Sequence, residues 1–351
     1  MPDLVAAAAD AQLGTLSDNL LFAAVLTYSV AMLLFAAEFA FTRRLRATVQ
    51  LDHTVELPDR ATSRVLVGAT AGRGAGEAPL AAAEDGALFP AEPPATSGVA
   101  RLLGWLALAL TVLGWGAHVG SVVTRGMAAH RVPWGNMYEF SSTVALAAVT
   151  AFLVLTTRER VRYLGAFVLF PVVLYLGLAG TVLYVPAAPL VPALQSYWIK
   201  IHVVAAVSAS GIFMVGAVVT ALYLLRSRLE ALVTAGRRPG LSRLAGPLPS
   251  AAALDRTAYR VIAFAFPVWT FAVIAGAIWA EAAWGRYWGW DPKETWSFIT
   301  WVIYAGYLHA RATAGWKGTR AAGIALVGFA ALMIDYYAVN IWIVGLHSYA
   351  K

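Results

Sequence analysis

The sequence predicts an all-α, polytopic membrane protein with about eight transmembrane helices and both termini outside, and three observations carry that reading. Hydrophobic residues make up 60% of the 351 and charged residues only 13%. Mean hydropathy is +0.68, a surplus of apolar side chains that one water-soluble core could not bury. Apolar runs of about twenty residues recur, the length a helix needs to cross a bilayer. Basic residues gather in alternate connections, the pattern by which a membrane chain sets its orientation.

The runs lie near 20–41, 101–123, 140–156, 163–185, 198–225, 259–281, 296–311 and 321–344. Arginines fill the first connection (Arg43 to Arg101), the third (Arg158 to Arg162) and the fifth (Arg226 to Arg260), and Arg311, Lys317 and Arg320 the seventh. These odd connections are expected on the cytoplasmic side, and the even count then leaves both termini outside. The net charge of +7 therefore reads as orientation in a membrane. No basic stripe interleaved with stacking aromatics points to nucleic acid. The N-terminus shows no basic n-region or cleavage site, so no removed signal peptide is expected. With no cysteine, the chain itself can form no disulfide and can ligate no metal through thiolate.

Residues 1–41 form an N-terminal transmembrane helix. Residues 42–100, rich in Ala, Gly and Pro, read as a flexible cytoplasmic linker, and 101–351 as a seven-helix membrane domain. No internal repeat suggests a transporter of two matched halves. The seventh helix has a marked start, with Asp291 as N-cap, Pro292 at the first position and Glu294 at the third.

Just before that start lies the densest unusual segment, the outer loop 284–296, which holds Trp284, Trp288, Trp290 and Trp296. Interfacial tryptophans are ordinarily an aromatic belt scattered over helix ends. Here Gly285 and Gly289 alternate with the indoles and would let the backbone approach a flat ligand. His202, just inside the fifth span, and His347, just beyond the eighth, sit at the same outer boundary. Two neutral imidazoles facing each other suit the axial positions of haem iron. An interhelical hydrogen bond is the plain alternative for any membrane histidine, and the matching depth beside such a loop favours ligation. His309 falls near the inner end of the seventh span, with Phe298, Val302, Ala305 and Gly306 on its helical face. The chain offers no second histidine at that depth, so an opposing ligand would come from another subunit. His118 and His130 are further candidates to touch a ligand, and His53 reads as a solvated linker residue. Asp335 is a functional candidate by its place in a span, with a structural hydrogen bond near Asn340 as the alternative. No phosphate-binding Gly-rich loop, His-Glu-x-x-His helix or nucleophile elbow is present.

The run Trp288-Gly289-Trp290-Asp291-Pro292-Lys293-Glu294-Thr295-Trp296 resembles the tryptophan-rich WWD signature of haem-handling proteins of cytochrome c biogenesis. Histidine follows at Tyr307-Leu308-His309, the tail carries Gly345-Leu346-His347-Ser348, and Pro133 to Glu139 matches an upstream motif. Over 101–351 the chain is similar to the CcsA/ResC family, labelled CcsB in some lineages, of the two-subunit (system II) cytochrome c synthesis machinery. The resemblance implies that His202 and His347 ligate haem at an outer platform formed with Trp284, Trp288, Trp290, Asp291 and Trp296. It implies that His309 belongs to an inner site completed by a ResB/Ccs1-type partner. His118, Asn136 and Glu139 are possible further contacts. Haem b would be a transiently bound substrate, moved from the cytoplasmic side to the outer face of a bacterial-type plasma membrane. There it would be attached to an apocytochrome Cys-x-x-Cys-His motif, a cytochrome c haem lyase activity of the complex. The other readings are a haem exporter without synthase activity and an intramembrane di-haem electron carrier.

Overall fold

The computed structural model describes residues 2–52, 98–158, 161–187, 196–236 and 248–347. Among these the chain is helical throughout, with α1 (Pro2–Asp52), α2 (Gly98–Ala128), α3 (Met137–Arg158), α4 (Gly165–Val182) and α5 (Tyr197–Thr234). They are followed by α6 (Ala251–Trp284), α7 (Pro292–Ala312) and α8 (Thr319–Met333). α8 continues through a π-helical turn, Ile334–Ala338, into a last helical turn, Val339–Trp342. Every expected span has its helix. Among the described residues seven are long and apolar enough to cross a membrane. α7 is the exception, because its window trades aliphatic residues for Tyr, Trp, Thr and the charged residues at its ends.

Helix ends follow local chemistry. Ser196 caps α5 by accepting the Trp198 N–H at 3.2 Å, and Ser250 caps α6. Asp291 and Glu294 form a full capping box on α7, with Pro292 in the first turn, as their order in the sequence predicts. α6 ends on Gly285 in the left-handed region, φ 70°, the conformation glycine adopts without a Cβ penalty.

α5 is the central helix, with 78% of its apolar window buried. One apolar cluster joins α1 to α4 with α5, and a second joins α5 to α8. The first span is therefore no separate anchor. Leu21, Ala24, Tyr28, Ala31 and Phe35 recur along one face of α1 and are buried, and Glu38 pairs with Arg162 at 2.9 Å. Helix α1 also runs to Asp52, past the expected end at 41, while residues 53–97 of the expected linker lie outside the described residues. Large apolar side chains such as Phe22, Leu113 and Phe264 stay exposed, each at 65%, as expected where the solvent is lipid.

Candidate functional site

Two acidic residues shape the loop between α6 and α7. The Glu294 carboxylate accepts the backbone N–H of Gly289 at 2.7 Å and of Asp291 at 3.1 Å, and the Arg286 guanidinium at 3.1 Å. This closes the loop onto the first turn of α7. A side chain at 289 would run into the Arg286 guanidinium. The two loop glycines thus serve helix termination and Arg286 packing.

Asp291 ties the loop to the chain's far end. Its Oδ1 accepts from His347 Nδ1 at 2.9 Å and from the Lys293 N–H at 3.2 Å, and its Oδ2 accepts from the Leu346 N–H at 2.8 Å. Burial pushes this carboxyl up, but the hydrogen bonds from His347, Leu346 and Lys293 outweigh it and hold it at about 2. Burial likewise lowers the His347 imidazole below its ordinary value, against the opposing hydrogen bond to Asp291. His347 is therefore neutral at pH 7.

His202, on α5, has its Nδ1 2.8 Å from the Ala272 carbonyl oxygen. The ring fits because residue 276 is glycine, since a Cβ there would lie 2.8 Å from Cε1 and Nδ1 of the imidazole. Carbonyl and carboxylate oxygens only accept. Both histidines must then carry their proton on Nδ1, which leaves Nε2 as the basic, ligating nitrogen of each. Trp279 contacts both, nearly parallel to His202 with centroids 6.1 Å apart and edge-on to His347 at 5.6 Å. Trp284 packs on His347 at 5.0 Å.

These rings wall two adjoining cavities. The larger, about 730 Å³ with its mouth, is lined by His202, His347, Trp279, Trp284, Trp288 and Lys293 among others. The smaller, about 540 Å³, shares His202, His347, Trp279, Lys293 and Tyr336 and adds Trp134 to Met137. Among the described residues no three His, Cys, Asp or Glu side chains converge on a metal position. Two neutral imidazoles with Nε2 left basic are the donor type that a porphyrin iron takes.

The remaining expected residues divide. Trp290 and Trp296 line neither cavity. Trp290 is 65% exposed with φ 57°, a conformation uncommon for a bulky residue, and it packs on Trp288 and Phe298. Asp291 holds His347 by the hydrogen bond above. Asn136 borders the smaller cavity and its Oδ1 caps α3 by accepting the Glu139 N–H at 2.9 Å. Glu139, 1% exposed, is a buttress: it takes Arg125 Nε at 3.0 Å, Arg131 Nη1 at 2.7 Å and the Gly135 N–H at 2.8 Å. His118 is fully buried between Ser142, at 2.9 Å, and Tyr28, at 3.4 Å, and serves helix packing. His130 pairs with Asp10 at 3.0 Å on the surface, and His53 lies outside the described residues. His309 is exposed on α7, roughly 25 Å along the helix from Pro292 at about 1.5 Å per residue. Asp335 and Asn340 are joined through Lys293, which donates to the Asp335 carbonyl and the Asn340 side chain.

Trp279, Gly276, Lys293 and Tyr336 are wall residues that the sequence reading did not single out. The first two sit inside an apolar run, where only the one-face spacing of Ala272, Gly276 and Trp279 could have marked them.

Residues 134–347 match the family model described as Cytochrome C assembly protein. A cytochrome c biogenesis protein CcsA of Gloeobacter violaceus is 34% identical, over 72% of this chain and 92% of that protein. CcsA of Guillardia theta is 35% identical over 64% of this chain and 79% of that protein. CcsA of Porphyra purpurea is 32% identical over 73% and 89% respectively.

Proposed function

Because the chain belongs to the cytochrome c assembly protein family, with CcsA proteins similar over most of its length, we propose that it works in cytochrome c biogenesis as a haem channel and synthase subunit. Haem is taken up at His309, passes to the cavity between His202 and His347, and is presented there to an apocytochrome Cys-x-x-Cys-His motif. One observation carries this reading: two imidazoles whose Nδ1 atoms are committed to Ala272 and Asp291 share the wall of one cavity system. A permanent di-haem carrier would need a second buried pair, and among the described residues the only other buried histidine, His118, is held by Ser142 and Tyr28.

The protein's contribution is to bind and orient. His202 and His347 hold the iron, and Trp279, Trp284 and Trp288 pack the macrocycle and keep water from its faces. Each cysteine S–H then adds across a haem vinyl group. The sulfur–carbon bond forms, the hydrogen ends on the neighbouring vinyl carbon, and nothing is oxidised or reduced overall. The apocytochrome histidine replaces one imidazole on the iron, so release follows ligand exchange. Fixing the reactants in place supplies a large entropic part of such a rate. At the inner site the opposing ligand comes from a ResB/Ccs1-type subunit, a reading supported by the exposure of His309. The arginine-rich odd connections support a loop that faces the extracytoplasmic side of a bacterial-type plasma membrane.

The test is reconstitution. Co-expression of the chain with its partner subunit and an apocytochrome should yield haem covalently attached through both cysteines, read as a pyridine haemochrome. Haem delivered to the outer side without thioether formation would reduce the role to export.

A further inference from the structure

We propose that Lys293 is the receptor for an ionised carboxylate arm of the ligand, so that the cavity selects a macrocycle with a free propionate over one with none. The inference rests on the haem-binding reading of this cavity and deepens it.

Lys293 stands in the first turn of α7 and lines both cavities together with His202 and His347. Its Nζ donates to the Asp335 carbonyl oxygen at 3.0 Å and to Asn340 Oδ1 at 3.2 Å, and it sits 5.6 Å from the Tyr336 ring centroid. An ammonium group has three donors, so these oxygens occupy two of them. Both oxygens are neutral. Among the described residues no carboxylate pairs with Lys293 at salt-bridge distance, and the Asp335 and Asp291 carboxylates favour its charge only from further off. A cation whose hydrogen bonds go to neutral oxygens, on the wall of a mostly apolar cavity, keeps its third donor for an anion.

A second observation points the same way. Asp335 is 4% exposed and lines the larger cavity, yet its Oδ1 has no hydrogen-bond partner. It lies in the π-helical turn Ile334–Ala338, a feature that concentrates at functional sites. A buried acceptor without a donor is a vacancy for a ligand O–H or N–H. The two groups therefore ask different things of a ligand. Lys293 takes a carboxylate, and Asp335 takes a donor such as an un-ionised carboxyl and repels a second carboxylate. A macrocycle with two carboxylic arms can meet both demands by keeping one proton between them. A purely structural lysine, tying α7 to the π turn, would show no such preference.

The experiment compares haem with haem dimethyl ester, which keeps iron and macrocycle and neutralises both arms. The full chain, in nanodiscs and in a His309→Ala background so that only the cavity is read, is titrated with each and followed by Soret absorbance. The wild-type cavity should prefer haem by about tenfold or more, the size of one charge-assisted hydrogen bond. Lys293→Gln should bring the two ligands to within about threefold of each other while retaining affinity for the ester, and Lys293→Arg should keep the preference. Equal affinity of the wild-type cavity for both ligands overturns the proposal and leaves the haem reading standing, whether or not the Gln variant folds. An undiminished preference in a folded Lys293→Gln variant overturns it too. Binding of neither ligand overturns both.

Discussion

The two ends of α7 present opposite designs. At its start, the capping box, Arg286, His347 and Leu346 lock the loop and one imidazole into a single arrangement, and His202 is wedged against Gly276 from α5. At its other end His309 stands exposed, next on its face to Val302, 46% exposed, and below Phe298, 39% exposed, although nearby Arg311 is firmly paired with Asp255 at 2.7 Å. Near the loop, each imidazole has an oxygen to fix its ring. His309 stands open on one side. The exposed face leaves room for a neighbour, whereas the two loop-side rings are fixed within one chain. On the proposed reading the difference separates holding from handing over: a ligand stays where rings are fixed and moves where they are not.

The largest effects should break that contrast at its strong end. His202→Gly or His347→Gly should each lower haem affinity of the purified chain by well over tenfold, and added imidazole should restore part of it by filling the empty coordination position. His309→Gly should leave the same titration of the isolated chain unchanged at the loop site. In the complex with its partner subunit and at limiting haem, His309→Gly should deplete the loop site, because supply fails. Normal loading there without His309 would refute the inside-to-outside route and leave a platform filled from elsewhere.

A smaller effect tests whether ring fixation is what makes the strong end strong. Asp291→Asn keeps the size and can still cap α7, but loses the charge that holds His347 Nδ1. Losses at such supporting positions run about 10- to 100-fold in metal affinity. The pH dependence follows with a definite sign. Asp291 is held at about 2 against its ordinary 3.8, so the stability it contributes is full above pH 4 and is lost as pH falls from about 4 to about 2. Protonation of His347 competes with iron, and burial places that event below 6.5. The Asp291 hydrogen bond works to raise it, so Asp291→Asn should lower the pH at which the His347 imidazole of the ligand-free chain takes up its proton. A His347 protonation midpoint that rises in Asp291→Asn would contradict the geometry.

How much of this was legible in the sequence follows from which forces act locally. Hydrocarbon thickness writes itself as apolar run length, so all eight helices were visible. The α7 start was visible because capping is settled within four residues, and the depth of His202 and His347 followed from their distance to span ends. What a helix faces is not local. Glu139 reads like a candidate ligand contact until Arg125, Arg131 and Gly135 are seen around it, and His118 until Ser142 and Tyr28 are. Packing of α1 onto α2 and α4 was hidden by the long intervening stretch, since the small and aromatic residues that mesh there carry no signal without their partners. The role of Gly276 needed the position of His202, a neighbour only in space.

Gly276→Ala gives the next, smaller effect. The added methyl would meet the His202 ring at 2.8 Å, so the imidazole must shift or the helices part. Overpacking of this kind costs about 1–3 kcal/mol. Haem affinity should fall several-fold with a displaced Soret maximum, while thermal stability of the ligand-free chain drops measurably. An unaltered spectrum would mean that Nε2 of His202 is not on the iron.

Trp290 should give the smallest change in haem affinity and sharpens the contrast from the other side, by asking whether every ring of the loop serves the cavity. In Trp290→Gly two terms oppose each other. Release of the left-handed conformation gains about 1–2 kcal/mol, and loss of the edge-on contacts to Trp288 and Phe298 costs about 0.5–1.5 kcal/mol. Stability should therefore move by no more than about 1.5 kcal/mol, and haem affinity of the isolated chain by less than about twofold, since the ring lines neither cavity. Trp288→Ala, which removes a wall ring, should cost more in the same titration. If Trp290→Gly lowers cytochrome maturation while haem occupancy holds, the exposed indole meets the incoming apocytochrome or partner rather than the macrocycle. If occupancy instead falls tenfold, the ring reaches the ligand, and the loop must close further over the cavity than its hydrogen bonds to Glu294 now allow.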